Sequence, residues 1–464
     1  MGSKSLMRKK RLLQCAIWLW LAALPLPALG QSIVKQGTPV RHGNASWTET
    51  YEWTAPAREG GKLILRADMG SVGIAPGASN QLEGRLVLRV YTRSEEQARR
   101  VFDAYHLSAR SIEGGGVYVS GELPGSRHHD RSAGAEFDIK LPARFNLDVE
   151  TQGGDIGVVG ALQGEARLTT AGGDIYTTDI SGPIKVETAG GSITLGNLGA
   201  RAEARTAGGS INIGNVRGDA TIETSGGEIQ VGQVDGTLRA ETAGGDVVIA
   251  GAAGQVVAQT AGGQIEVGPT GGSVRAETAG GSIRLRGARG RVVAETAGGS
   301  IDLLQLEAGV RASTSAGRIL AEFNASAKTF AASQLETSMG DVYVYLPVDL
   351  RLTIDAAIDA AAGHHIVTDF PLSILGDKED FGERTIRGHG NLNGGGEVLR
   401  IRTVAGNIEI RKLDARSLQD LKSREETNWN RSQERQAEKN QKQREREQER
   451  RERQREKEED RDQD

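Results

Sequence analysis

The sequence predicts an all-β chain: a β-solenoid of 18-residue coils with irregular β-rich caps, one short N-terminal helix and a charged C-terminal tail, helical or disordered. Three observations carry this reading. A phrase whose commonest form is Thr-Ala-Gly-Gly-polar-Ile places its threonines at Thr170, Thr188, Thr206, Thr224, Thr242, Thr260, Thr278, Thr296 and Thr314, so eight successive intervals are identical. Such a fixed period marks stacked units that bury their apolar faces only against their neighbours. Apolar residues recur two and four before each Thr and five, seven and often ten after it, as in Leu238, Ala240, Val247 and Ile249, an alternation that belongs to strands. Finally, a Gly pair such as Gly190-Gly191 separates the two runs, and a further Gly such as Gly182 or Gly236 punctuates the far side.

Each unit therefore reads as two short strands and two corners. Strand, Gly-Gly, strand is also a hairpin signal. Hairpins need no constant total length, whereas a coil must use the same number of residues to return to the same azimuth. At about 4.8 Å per coil the array would make a rod on the order of 50 Å or more. The small residues two before the Thr (Ala204, Ala240, Ala258, Ala276, Ala294, Ala312) predict a thin interior. The Thr column is expected to form a ladder, each hydroxyl bonding a neighbouring coil or the Gly-turn backbone; the alternative is a Thr array facing a ligand. Outward columns mix Glu187, Arg205, Glu223, Glu241, Gln259, Glu277 and Glu295 with Lys185, Glu203, Arg239, Arg275 and Arg311. Opposite charges two residues apart on one face offset the repulsion of stacked like charges. This reads as a solvated face, with a surface for a charged polymer as the alternative.

In chain order, residues 1–30 read as an export signal: Lys4, Arg8, Lys9, Lys10 and Arg11, an apolar run from Leu12 to Leu24, then Pro25 to Gly30 before a cut at Gln31. The run is too short and wrongly flanked for a membrane span. Cys15, the sole cysteine, lies inside it, so the exported chain has no disulfide, thiol catalyst or thiolate-metal site. Losing those five cations takes the net charge from -4 to -9, a poor balance for binding nucleic acid.

Residues 31–150 read as an N-terminal β-rich cap. Trp47, Tyr51 and Trp53 alternate like a strand, and Leu63, Leu65, Ala67, Val72 and Ile74 fit the repeat register as a degenerate early rung, with Met69-Gly70 in place of the Gly pair. Ser94 and Gln97 form a capping box for a helix to about Ala104, with Val101 and Tyr105 on one face. Strands follow near Val117 to Val119 and Phe137 to Leu141. This cap is expected to cover the rod's exposed edge.

Residues 151–340 form the regular array, opened by Thr151 one residue out of step with Thr170 and closed by Thr337 after a 23-residue interval. Residues 341–412 read as the C-terminal β cap, with an apolar loop at Phe370, Pro371, Leu372 and Ile374, a Gly run at Gly394 to Gly396, and a last rung at Thr403 to Ile408. Residues 413–464 form a polyampholyte tail outside the fold. Pairs such as Glu438 with Lys442 would support a solvated helix, and no apolar seam supports a coiled coil.

The phrase from Phe137 to Thr151, leading into Gly153-Gly154-Asp155-Ile156, resembles the putative-adhesin family of bacterial envelope β-strand-repeat proteins, a domain of unknown function. Val344 to Pro347 and Asn393 to Gly396 with Thr403 to Ile408 are similar to its late segments, and the resemblance spans roughly Lys62 to Lys412. It implies architecture and no catalytic residues. The long Ala-rich array and the charged tail depart from its pattern.

Residues that could carry chemistry point away from catalysis. A carbohydrate-active β-helix needs clustered carboxylates, yet the position after the Gly pair varies among Asp174, Ser192, Ser210, Glu228, Asp246, Gln264, Ser282 and Ser300. Calcium-binding nonapeptide repeats need carboxylate oxygens at every turn, and Asp174 and Asp246 are too far apart to cooperate. His128-His129-Asp130 and His364-His365 could ligate metal but read as polar loop residues. Asn44-Ala45-Ser46 matches a glycosylation acceptor only by spacing, in a chain whose export signal is bacterial in style. No catalytic, cofactor-binding or metal-ligating residue is assigned, no cofactor is expected, and the binding residues stay unknown.

The expected role is an exported, adhesin-like envelope binding or scaffold protein, in the periplasm or at the cell surface. Its partner would be an envelope protein or polysaccharide. The alternatives are a periplasmic structural or stress-sensing partner and a carbohydrate-active β-helix enzyme.

Overall fold

The computed structural model describes residues 33–43, 45–78, 80–124, 133–324, 330–361, 363–376 and 385–413, with residue 419. The leader, Asn44 of the Asn44-Ala45-Ser46 triplet, His128-His129-Asp130 and all of the tail except residues 413 and 419 lie outside the described residues.

Within the array every Thr-bearing strand pairs in parallel with its equivalent one period on. Ile184–Thr188 lies against Ala202–Thr206, and Ala202–Thr206 against Ala220–Thr224. The strands that follow the Gly pair do the same, Ile193–Leu195 beside Ile211–Ile213 beside Ile229–Val234. Val256, Val274 and Val292 are direct register partners in one file. The result is two long, mainly parallel sheets facing each other across a narrow core, a solenoid-like arrangement. Following the pairings from end to end, neither sheet returns to its first strand, so neither closes into a barrel.

The core is thin for the expected reason: Ala204, Ala240, Ala258, Ala276, Ala294 and Ala312 are all fully buried, opposite columns of Ile, Val and Leu. A coil has more than two edges, however. Leu162, Ile180, Leu198, Val216 and Val234 form a third parallel column of single-residue bridges, continued by Ala252, Thr270, Ala288 and Leu306. These are the apolar residues ten after each Thr. One residue per coil pairs there, too few to show an alternating strand pattern, so the two-corner description needs this third edge added.

The Thr ladder is present and does both expected jobs. Thr206 Oγ1 donates to the Gly191 carbonyl one coil back at 2.8 Å and accepts from the Gly209 N–H of its own turn at 3.3 Å. The same donation recurs from Thr151 to Gly70 at the front and from Thr403 to Gly340 at the back. These threonines are buried, with 1% exposure at Thr151 and 8% at Thr242, so they present no ligand face.

The Gly pair is required mainly by proximity. A Cβ on Gly191 would sit 2.0 Å from the Gly173 carbonyl oxygen, whereas one on Gly190 would meet nothing closer than 3.5 Å. The second glycine thus lets successive coils touch, and the first is far less constrained. At the irregular Gly154 and Gly340 a left-handed backbone is also needed, with φ of 135° and 146°.

Both ends of the stack are assembled out of chain order. At the front, Lys62–Ala67 and Ser71–Gly77 form a rung between the strands of residues 116–142 and those of residues 146–158, confirming the early rung at Leu63 to Ile74. Beyond it, antiparallel strands Val34–His42, Ser46–Pro56, Gln81–Tyr91 and His106–Ile112 finish the two sheets. The extra residue before Thr170 is absorbed at the corner Val159 to Ala161, since Val158 pairs with Thr177 but Leu162 with Ile180.

At the back, Thr403 to Ile408 is not the outermost rung. Val398–Ala405 lies between Ser333–Met339 and Leu352–Ile358, so the chain passes over one rung position and returns to fill it. The longer interval before Thr337 is taken up between Phe323 and Ser333.

The helix runs Glu95–Ala104 with Ser94 as N-cap, its side chain accepting from the Gln97 N–H. The reciprocal half of the capping box is replaced: Thr92 Oγ1 bonds Gln97 Oε1 at 2.7 Å and receives the Ser94 N–H at 3.2 Å. Its most buried residues are Ala98 and Phe102, with Tyr105 just beyond the helix end and Val101, partly buried, packed against the same core.

Because the two glycines of a pair differ so sharply in room, Gly191→Ala is expected to destabilise by about 3 kcal/mol through overpacking. Gly190→Ala should stay within about 0.5 kcal/mol. Urea unfolding followed by circular dichroism checks this, and equal effects would contradict the close-approach explanation.

Candidate binding surfaces

The charged columns of the first, Thr-bearing sheet neutralise themselves. Lys185 pairs with Glu187 at 2.9 Å, Arg201 with Glu203 at 2.7 Å, and Arg239 with Glu241 and Arg275 with Glu277 in the same two-residue relation. Across coils, Arg205 reaches Glu223 at 3.1 Å and Arg311 reaches Glu295 at 3.4 Å. Pairs this exposed contribute roughly 0.2–1 kcal/mol each, so their main effect is to remove like-charge repulsion. A shallow groove of about 510 Å3 runs beside them between Glu187 and Ala243.

The polar column after the Gly pair has a structural duty that the sequence reading missed. Asp174 Oδ1 accepts the Ser192 N–H at 2.7 Å, and Asp246 Oδ1 accepts the Gln264 N–H at 2.8 Å. A parallel ladder at the next corner runs from Asp179 to the Asn197 N–H, from Asn197 to Asn215 and from Asn215 to Gln233. The recurrence of short side chains with an acceptor oxygen was the available signal, and variation among Asp, Ser and Asn concealed it. The Asp174 and Asp246 carboxylates are both held by the backbone of the next coil; among the described residues no group of three or more His, Cys, Asp or Glu is placed to hold a metal. His364 and His365 lie in a turn, where their N–H groups bond Ala361 and Asn407.

A second trough, of about 750 Å3, lies on the outer face of the N-terminal cap, where Glu52, Arg85 and Asp138 occupy one row and Thr54, Glu83 and Lys140 the next. Inside the same cap Glu49 is buried, paired with Lys35 at 2.5 Å and receiving the Tyr51 hydroxyl. Burial and then that hydrogen bond push the Tyr51 phenol well above its usual range. Burial also raises Tyr105, reinforced by Asp68 and Glu122.

Asp148 joins the early rung to the array, bonding Lys62 at 2.8 Å and Arg66 at 2.7 Å. Burial alone would raise its carboxyl, but hydrogen bonds and charge from Lys62 and Arg66 outweigh this and hold it below the ordinary carboxylate value.

This architecture defines an all-β, solenoid-like repeat protein built from stacked, near-identical coils. Residues 123–268 match the family model described as Toastrack DUF4097, which bears out the resemblance to an adhesin-like domain of unknown function. Among solved structures the chain is similar to a putative adhesin from Bacteroides fragilis NCTC 9343, with 12% identity and a TM-score of 0.26 over 52% of this chain and 95% of that one. It is also similar to a putative cell adhesion protein from Clostridium sporogenes ATCC 15579, with 11% identity and a TM-score of 0.16 over 78% of this chain and 98% of that one. Likenesses this distant carry no function across. No curated protein matches the sequence.

Asp148 gives a pH signature with a definite sign. A carboxyl whose folded value is depressed stabilises above its unfolded value and loses that stabilisation as pH falls through the folded one, here below about pH 4. Asp148→Asn should therefore lower stability at neutral pH and make little difference in acid. Urea titrations at both pH values check this, and an equal loss at both would contradict the ion-pair assignment.

Proposed function

We propose that the chain is an exported, adhesin-like protein of the bacterial cell envelope that works by binding or scaffolding rather than by catalysis. One observation carries the reading: the 18-residue register repeats the same outward side-chain columns at every coil. A partner with its own repeat would meet one weak contact per coil, at equal steps along a rigid face. Contacts that are individually weak then sum to useful avidity, because each after the first is effectively intramolecular.

Export is supported by the leader-like residues 1–30. Among the described residues no helix is long and apolar enough to cross a membrane. Binding is favoured over hydrolysis because Asp174 and Asp246 accept backbone N–H groups of the next coil, a structural duty at the corner. The charged segment 413–464 is proposed to act outside the fold as a contact to another envelope component.

Protease shaving tests the display half of this proposal. Added to intact cells, a non-penetrating protease is expected to remove the chain while a periplasmic marker survives. Full protection of the chain would contradict surface display and leave periplasmic scaffolding as the reading.

A further inference from the structure

The two broad faces of the stack differ in chemistry. On the first sheet, outward columns are ion pairs along nearly the whole array. On the second sheet the central outward column reads Gly157, Tyr176, Thr194, Asn212, Gln230 and Val248, each the direct register partner of the next. Six consecutive coils thus show no formal charge there. Beyond Val248 the same column turns ionic again, Glu266 pairing with Arg284 at 2.6 Å and Asp302 with Arg318 at 3.1 Å.

Hydrogen bonding sharpens the contrast. At the neighbouring corner, Asp179, Asn197 and Asn215 all bond the next coil's backbone. The side chains of Tyr176, Thr194, Asn212 and Gln230 bond nothing in the described protein, so their hydroxyl and amide groups are available outward. Tyr176 is 46% exposed at one end of the row. Alongside, Gly196, Gly214 and Gly232 lie one above another, each with the preceding coil's backbone within 3 Å of where a Cβ would stand.

We propose that this uncharged face, from Tyr176 to Gln230, binds a neutral, hydroxyl-rich polysaccharide strand lying along the stack. The inference rests on the binding reading above and deepens it by naming the face and the partner chemistry. Sugar hydroxyls donate and accept, as do the hydroxyls and amides of this row, and the Tyr176 ring offers an apolar plane to a sugar's C–H face. Charge decides against a polyanion: the row supplies no cation, and Asp174 and Glu228 border it in the same two strands' approach. A protein partner is disfavoured because the face lacks the apolar and aromatic centre that such interfaces use. Coils about 4.8 Å apart present one polar side chain per step, so contacts accumulate with polymer length.

Affinity electrophoresis of the full chain in gels containing linear neutral glucans, α-linked or β-linked, tests the proposal, with alginate as the anionic probe. Retardation is expected in at least one neutral glucan, insensitive to added salt, and absent in alginate. Tyr176→Ala and Asn212→Glu should each weaken it at least about tenfold, the size of one good polar or stacking contact, with unchanged circular dichroism. Arg275→Ala, on the opposite sheet, should leave it unchanged. Retardation by alginate alone, by no glucan, or undiminished in both face variants would overturn the proposal. Attachment of the chain to whole cells, measured in parallel, separates the two levels. If it persists in Asn212→Glu, this face is wrong and the binding reading stands; if the unaltered chain attaches to nothing, the binding reading itself fails.

Discussion

The fold depends on one contact: a threonine hydroxyl reaching the carbonyl of a glycine one coil back, at a corner where only hydrogen fits on that glycine. The bond at Thr206 is 2.8 Å long, and a Cβ on the glycine that follows it, Gly209, would lie 2.1 Å from the Gly191 oxygen. A hydroxyl and a missing methyl thus fix the same distance from two sides. Each coil must return to the azimuth of the one before it, and a constant circuit length follows. One such bond contributes only about 1 kcal/mol net; its repetition sets the register of everything attached to the coils.

With register fixed, the faces become columns. The first sheet's columns are charged and self-neutralising, as Lys185 with Glu187 and Arg205 with Glu223 show. Corner columns of Asp, Asn and Ser are absorbed in capping backbone N–H groups. On the second sheet the row from Tyr176 to Gln230 is left unengaged, so the same ladder that builds the rod also decides which side chains there can meet a partner. Edge strands pose the opposite problem, since an open stack end would accept further strands. Here antiparallel strands such as Val34–His42 at the front and Ile386–Leu392 at the back, together with rungs filled out of chain order, replace the simple repeat at both ends.

Much of this was legible in the sequence. The Thr spacing gave the period, the alternation around Leu238 to Ile249 gave the strands, and the column of small residues from Ala204 to Ala312 gave the thin core. The parts that stayed hidden have physical causes. The third edge consists of isolated residues such as Ile180 and Leu198, which pair singly and so leave no alternating pattern. The role of Gly191 is a contact with Gly173, eighteen residues distant, and composition cannot distinguish that from a turn requirement. The rung order at Thr403 depends on a chain excursion through Leu352 and Leu392, and no local pattern records which rung position an excursion skips. For binding, the neutral row was invisible because Tyr176, Thr194, Asn212 and Gln230 share no residue type. Only their register makes them a surface.

The central claim is that residues 18 apart lie one coil apart along the whole array. Spin labels on the outward column at Glu187 paired in turn with Glu223, Glu241, Glu277 and Glu295 would read this directly by double electron–electron resonance. Distances are expected to rise in proportion to coil number, by about 4.8 Å per coil, reaching about 29 Å for the pair Glu187 and Glu295. Distances that fail to grow steadily with the number of intervening periods would contradict the stacked register and the faces derived from it.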